Sequence, residues 1–140
     1  MAGFDLDRFV AAQDGVHARA LTELKQGRKQ SHWMWFVFPQ IAGLGTSPRA
    51  SLYAIASTKE ARAYLAHPLL GPRLGACTAA MLGHRERSAE SILGPVDAMK
   101  FRSSMTLFEA VADKPALFAD ALEVFYDGER DAATLRILGQ

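Results

Sequence analysis

The chain has 140 residues, of which 49% are hydrophobic and 22% charged, as is typical of one globular domain with its own core. Sixteen basic and fifteen acidic residues give a formal net charge of +1. Nucleic-acid binding requires a basic excess on one face, so no nucleic-acid partner is expected.

Helix signals begin near the N-terminus. Asp5 is a candidate N-cap for a first helix, and Asp14 is a candidate N-cap for a second. Apolar residues recur at helical spacing along the second helix, and Gly27 is placed to end it.

The next segment, SHWMWFVFPQ, contains both tryptophans of the chain. Its apolar run is too short for periodicity to separate a strand from a buried helix, and far too short to cross a bilayer, so no membrane association is expected. We predict a short helix from His32 to Phe38, capped by Ser31 and ended by Pro39. Its aromatic side chains fit two interpretations, a helix of the core or the wall of a ligand pocket.

The rest of the chain is predicted to form helices separated by glycine, proline and capping residues. Ser47, Ser57, Ser88 and Asp131 are placed as N-caps, and Glu60 completes an S-x-x-E capping box. The predicted helices of this region cover residues 48–54, 57–66, 70–82, 88–94, 95–112, 115–126 and 132–138. No period-two alternation, internal repeat or long linker is evident. The sequence therefore predicts one compact all-α domain, over residues 1–140, of seven to nine short helices.

Cysteine usage and the N-terminal residues indicate the compartment. Cys77 is the single cysteine, so no internal disulfide forms, which suits a reducing environment. The first residues, MAGFDLDRF, lack the apolar core of a signal peptide. We expect a cytoplasmic protein in which Cys77 is a small buried helix residue.

Four blocks of the sequence are specific enough to indicate a family. They are DLDRFVAAQ, ELKQGRKQSHWMWFVFPQIAGLG, EARAYLAHPLLGPRL and KFRSSMTLF, and they resemble the signature blocks of a bacterial family catalogued as domain of unknown function 1810. The similarity extends from Asp5 to about Leu138. It implies a mainly helical single domain and no established activity. Some members bear a calpastatin-like label, which this half-hydrophobic sequence does not support because calpastatins are disordered.

One face of the predicted 95–112 helix combines polar and apolar residues. Asp97, Lys100 and Ser104 share this face, at positions i, i+3 and i+7, and the same line continues into Leu107 and Val111. Burying a lysine costs several kcal/mol unless it is paired. Either Asp97 and Lys100 form a surface ion pair, or the face lines a polar cavity.

These observations define a candidate ligand site. A lysine and hydroxyl groups suit phosphate, and tryptophan suits stacking on a base or ribose, so the ligand class is a small, anionic, ring-bearing molecule such as a nucleotide or an ADP-ribose-like compound. The candidate ligand-binding residues are His32, Trp35, Gln40, Asp97, Lys100 and Ser104.

The sequence does not decide between two classes of function. If the protein is an enzyme, Asp97 is the general base or electrostatic stabiliser and Lys100 is the charge anchor. The alternative is a non-enzymatic protein-interaction module whose polar motifs form structural networks. The four histidines lack metal-ligand spacing and no nucleotide-cofactor fingerprint is present, so neither a metal site nor a cofactor is expected. The substrate and the oligomeric state are not specified by the sequence.

Overall fold

The structure, a computed structural model, describes residues 4–140, and over that range its regular secondary structure is helical apart from one isolated β-bridge between Ile41 and Ile55. The prediction of an all-α fold is confirmed. The helices are α1 Asp7–Gln13, α2 His17–Gln26, α3 Met34–Val37, α4 Pro48–Leu52, α5 Thr58–Ala66, α6 Leu70–Leu82, α7 Ala89–Leu93, α8 Pro95–Val111, α9 Ala116–Tyr126 and α10 Ala132–Leu138.

The predicted count of seven to nine helices is wrong, because ten helices form within residues 4–140. Three of them have only four or five residues: α3, α4 and α7. The Ser47 and Ser88 side chains accept hydrogen bonds from the N–H groups of Ala50 and Ser91. Such caps fix the start of a helix by satisfying a free N–H group, so α4 and α7 stay separate from their neighbours.

Some of the predicted N-caps form in the structure, and others do not. Ser57 accepts from the N–H of Glu60, and Asp131 accepts from the N–H of Thr134, as predicted. Asp5 and Asp14 are both exposed and cap nothing, because α1 and α2 have Leu6 and Val16 at their N-cap positions. Both cap residues already have right-handed helical backbone angles, whereas a side-chain cap needs an extended backbone.

Helix α8 is the centre of the core and packs against α5, α7, α9 and α10. Its inward stripe of Ala98, Phe101, Met105 and Phe108 is buried, as expected of apolar residues at helical spacing. Phe101 meets Phe38 edge-on, with 4.8 Å between the ring centroids. Within residues 4–140 no helix has both the length and the apolar composition needed to span a bilayer.

Helix α6 packs against α2, α5 and α9 and contains the single cysteine. Cys77 is fully buried, as predicted, and its burial raises the pKa of the thiol to about 12. The thiol is therefore protonated and unreactive at neutral pH.

The start of α6 approaches the end of α5 so closely that a side chain has no room there. A Cβ atom at Gly71 would lie 2.1 Å from the carbonyl oxygen of Leu65, whereas a Cβ at Gly75 would meet only Leu117 Cδ2, at 3.9 Å. Gly71→Ala is therefore expected to lower the free energy of unfolding by about 1–3 kcal/mol.

Gly75→Ala, one turn later in α6, is the matched control. It is expected to raise the free energy of unfolding by up to about 1 kcal/mol, because alanine has the higher helix propensity. Urea unfolding of both variants measures the two changes. Equal effects at the two positions would contradict the close approach of α5 and α6.

Candidate functional site

A cavity of about 570 Å³ opens between the segment that follows α3, the start of α8 and the start of α10. Three of the six predicted ligand-binding residues line it: Trp35, Gln40 and Lys100. Residues 44–47 and Ala50 of α4 also line the cavity.

A cation lies against the aromatic wall of the cavity. The Lys100 ammonium nitrogen is 4.3 Å from the centroid of the Trp35 ring, and the Arg49 guanidinium carbon is 5.3 Å from the same ring. Both distances fall within the range of cation–π attraction. Trp35 is thus held beside two positive charges at the wall of the cavity.

The balance of charge in the cavity wall is positive. Lys100, Arg102 and Asp131 are its ionisable side chains, and their formal charges sum to +1. One oxygen of Asp131 is already occupied, because Oδ2 accepts from the N–H and the hydroxyl of Thr134 at 3.0 and 2.6 Å. Arg102 in turn pairs with Glu129, at 3.4 Å, so Lys100 is the main positive charge that an anion entering the cavity meets.

Asp97 does not line the cavity but lies between two lysines. Its Oδ1 is 3.2 Å from the Lys100 ammonium, and its Oδ2 is 2.9 Å from the Lys29 ammonium. Lys29, whose side chain is 8% exposed, also lies 5.1 Å from the Trp33 ring centroid. Sequence reasoning missed Lys29, because nothing local to its basic segment indicates a partner on α8.

Besides Asp97, two further predicted site residues lie outside the cavity, and the structure does not bring them to its wall. His32 is exposed and precedes α3, which begins at Met34 rather than at His32. Ser104 is fully buried, and its hydroxyl has no partner among the described residues; its neighbour Ser103 lines the cavity instead.

The geometry of α8 explains why Ser103 and not Ser104 faces the cavity. At about 100° per residue, Lys100 is displaced by about 60° from Asp97, and Ser103 lies about 60° further round in the same direction. The cavity lies on that side of the helix, where Val96 and Met99 also line it. Asp97 and Ser104 are nearly in line with each other, on the other side of Lys100.

Part of the aromatic segment lies in the core, and part of it lines the cavity. Trp33, Met34, Val37 and Phe38 are buried in the core, and Trp33 is 0% exposed. Trp35 is half-buried and faces the cavity. A single short helix therefore supplies both core and cavity wall.

Arg8 holds the far wall of the cavity in place. Its guanidinium donates to the carbonyl oxygens of Leu52 and Ala54, each at 2.8 Å, and pairs with Glu60 at 3.0 Å. These bonds tie the end of α4 to α1 and α5. The β-bridge between residues 41 and 55 closes the same segment.

The buried carboxylate of Glu23 anchors the segment that leads into α3. It accepts hydrogen bonds from the Ser31 hydroxyl at 2.6 Å, the Gln30 N–H at 2.8 Å, the Trp33 indole N–H at 2.9 Å and the Ser31 N–H at 3.1 Å. Ser31 thus binds Glu23 and does not cap a helix as predicted. Burial by itself would raise the pKa of Glu23, but these hydrogen bonds outweigh it and lower the pKa to about 2.

Comparison with known proteins found a family and a solved structure similar to this chain. A family model described as "Protein of unknown function (DUF1810)" matches residues 3–138. A crystal structure of the conserved hypothetical protein Rv1873 from Mycobacterium tuberculosis is 49% identical in sequence, with a TM-score of 0.96 and 99% of each chain covered. No curated protein matches the sequence.

Protonation of Glu23 is expected to destabilise the fold. Its pKa is about 2 in the folded protein against an ordinary value of 4.5, so the carboxylate stabilises the fold above about pH 4.5 and this contribution is lost as the pH falls towards 2. Glu23→Gln is expected to lower the free energy of unfolding at pH 7 by roughly 3 kcal/mol. Urea unfolding between pH 2 and 7 measures the change.

Glu86→Gln, which alters an exposed carboxylate, serves as the control. The stability of this control is expected to parallel that of the wild type at every pH. The deficit of Glu23→Gln is expected to shrink below about pH 4.5, because the wild type then loses the same interaction. A deficit that stays constant down to pH 2 would contradict the role given to the Glu23 charge.

Proposed function

We propose a binding function for this chain, which belongs to the DUF1810 family of proteins of unknown function, as its four sequence blocks predicted. In this proposal the chain binds a small, anionic, ring-bearing ligand of nucleotide or ADP-ribose-like type. The main support is the position of the Lys100 ammonium, 4.3 Å from the Trp35 ring centroid at the wall of a cavity of about 570 Å³. A cation and an aromatic face on one wall offer a charge anchor and a stacking surface together.

The size and charge of the cavity agree with this ligand class. Pockets for small ligands typically have volumes of about 300–1,000 Å³ and a few polar groups that fix orientation. Lys100 supplies positive charge, Arg102 lines the same cavity while pairing with Glu129 at 3.4 Å, and Thr46 is a further lining residue that carries a hydroxyl group. Phosphate groups are bound by such combinations of cations and hydroxyl groups.

In this proposal Asp97 positions Lys100 and is not a general base. Both of its carboxylate oxygens face lysines, and it lies outside the cavity wall. Lys29 keeps Asp97 paired even when Lys100 turns towards a bound anion, so ligand binding does not leave a carboxylate unpaired. The proposal is therefore one of binding, with Lys100 as the charge anchor.

A second candidate function, a protein-interaction module, rests on two exposed apolar side chains that line the cavity. Val96 and Met99 are 65% and 71% exposed on adjacent turns of α8. Exposed apolar residues next to a cleft also occur at protein-binding surfaces. Loss of partner binding in Met99→Ser, without any response of the wild type to small ligands, would favour this second function.

The cytoplasmic location is part of the same proposal. Cys77 is buried and free, as suits a reducing compartment, and nucleotides and related phosphates are intracellular ligands.

A thermal-shift screen of nucleotides, NAD derivatives and sugar phosphates tests the proposed function. A ligand present at 100 times its Kd adds about 2.7 kcal/mol to the free energy of unfolding. This raises the melting temperature of a domain of this size by several degrees. A screen without any shift would count against a small-molecule site of this class.

Lys100→Ala is expected to weaken binding of the ligand found in that screen at least 10-fold, since a charge-assisted contact contributes about 1.5–3 kcal/mol. The free energy of unfolding is expected to change by less than about 1 kcal/mol, because Lys29 remains 2.9 Å from Asp97. Calorimetric titration and urea unfolding measure the two quantities on the same sample.

Lys25→Ala removes the same charge from an exposed position on α2 and is the matched control. It is expected to leave both binding and stability unchanged. Wild-type binding in Lys100→Ala would overturn the proposed site. A stability loss of about 3–5 kcal/mol would instead identify Lys100 as part of a buried structural pair.

A further inference from the structure

We infer that the ring of the ligand enters a second, smaller lobe beside Trp35, and that the preferred ligand is a mononucleotide with a single six-membered ring. This lobe has a volume of about 160 Å³ and adjoins the cavity described above. The inference rests on the proposed function, which concerns the cavity as a whole. It assigns the ring of the ligand to the smaller lobe and the anionic end to the larger lobe.

The two lobes are parts of one cleft. Trp35, Gln40, Leu44, Gly45 and Ala50 line both of them. A ligand with two chemically different ends can therefore reach both lobes while remaining in contact with Trp35.

The charges lie in only one of the two lobes. Lys100, Arg102 and Asp131 line the larger lobe, whereas the side chains that line the smaller lobe carry no formal charge. Moving a phosphate group out of water costs free energy when no cation lies next to it. The anionic end of the ligand thus belongs in the larger lobe, and the uncharged end belongs in the smaller one.

The volume of the smaller lobe sets the size of the ring. A cavity of about 150 Å³ holds one benzene molecule in another protein, so a lobe of about 160 Å³ accepts one six-membered ring. A fused purine is larger, so its second ring would require the wall to move or would extend into the larger lobe, next to the anionic end of the ligand. The wall resists such movement, because Gln40 and Ala42, which line the lobe, are both hydrogen-bonded to the backbone of Ile55: Ala42 N–H donates to Ile55 O and Ile55 N–H donates to Gln40 O, both at 2.8 Å.

Gln40 is placed to recognise the polar edge of such a ring. Its backbone is fixed by the bond from Ile55, and its side-chain amide makes no hydrogen bond to another residue among those the structure describes. A primary amide offers two donor hydrogens and one acceptor oxygen. Pyrimidine rings, and pyridine rings that bear a carboxamide, present adjacent donors and acceptors that can pair with it.

Calorimetric titration with four phosphates tests the assignment. The probes are uridine 5′-monophosphate and nicotinamide mononucleotide, which have one ring, adenosine 5′-monophosphate, which has a fused ring, and ribose 5-phosphate, which has no base. At least one single-ring nucleotide is expected to bind about 10-fold or more tightly than ribose 5-phosphate, since a buried, hydrogen-bonded ring contributes at least 1.4 kcal/mol. Adenosine 5′-monophosphate is expected to bind no more tightly than ribose 5-phosphate.

Two variants distinguish binding of the ring in the smaller lobe from binding of the phosphate in the larger lobe. Gln40→Leu keeps the side-chain volume and is expected to weaken the single-ring nucleotide about 10-fold, since one hydrogen bond to a buried polar group is lost. It is expected to weaken ribose 5-phosphate less than the single-ring nucleotide, because ribose 5-phosphate has no ring with which the amide could pair. Lys100→Ala is expected to weaken all four phosphates by the same factor. Urea unfolding of each variant verifies that it is folded.

The outcomes distinguish this inference from the proposed function. If none of the four phosphates binds the wild type although a compound of the thermal-shift screen does, the ring lobe is overturned and the proposed function stands; if no compound binds in either experiment, the proposed function itself fails. If all four bind with equal affinity, the anion site stands and the ring lobe is overturned. Tight binding of adenosine 5′-monophosphate, or equal losses for both ligand types in Gln40→Leu, would also overturn the assignment of the ring to the smaller lobe.

Discussion

The buried carboxylate of Glu23 is the interaction on which the position of the site depends. Its two oxygens accept four hydrogen bonds from Gln30, Ser31 and Trp33, so the segment that leaves α2 is held against that helix. Trp33 is thereby fixed in the core, and α3 begins at the next residue. The direction in which Trp35 projects follows from this anchor, although Glu23 itself does not line the cavity.

Two sides of helix α8 have different roles, one in the core and one at the cavity wall. One side contributes Phe101, Met105 and Phe108 to the core, and the other contributes Lys100 and Ser103 to the cavity wall. The core contacts with α5, α7 and α9 hold the helix rigidly. A rigid element can keep a charged side chain at a fixed distance from an aromatic ring, which is what a preorganised binding site requires.

Lys29, Asp97 and Lys100 form an ion cluster that is mostly shielded from solvent. The cluster nevertheless leaves one positive charge available to a ligand. A carboxylate between two lysines leaves one positive charge uncompensated, and Lys100, the more exposed of the two lysines, faces the cavity. Removing water from an ion pair is costly unless each charge retains a partner. The third charge therefore stabilises the cluster and at the same time gives the cavity wall its positive potential.

Much of the fold followed from local patterns in the sequence. The caps at Ser47, Ser57, Ser88 and Asp131 and the helical stop at Gly27 form as predicted. Each of these features depends on hydrogen bonds or backbone angles within three or four residues, so the sequence by itself determined them. The all-α class follows for the same reason.

The composition of the site was decided by tertiary packing. Of the six residues predicted from residue type and spacing, Trp35, Gln40 and Lys100 meet at the cavity wall, whereas His32, Asp97 and Ser104 lie outside it, and Lys29 was not predicted. A sequence indicates that residues share a helical face, but the side of that face that meets a cavity depends on which neighbouring helices cover the rest. Likewise, Lys29 and Asp97 come together only because α7 and α8 pack together and the Lys29 N–H donates to the carbonyl of Ile92. Contacts between residues far apart in the chain require the folded structure, because no local propensity specifies them.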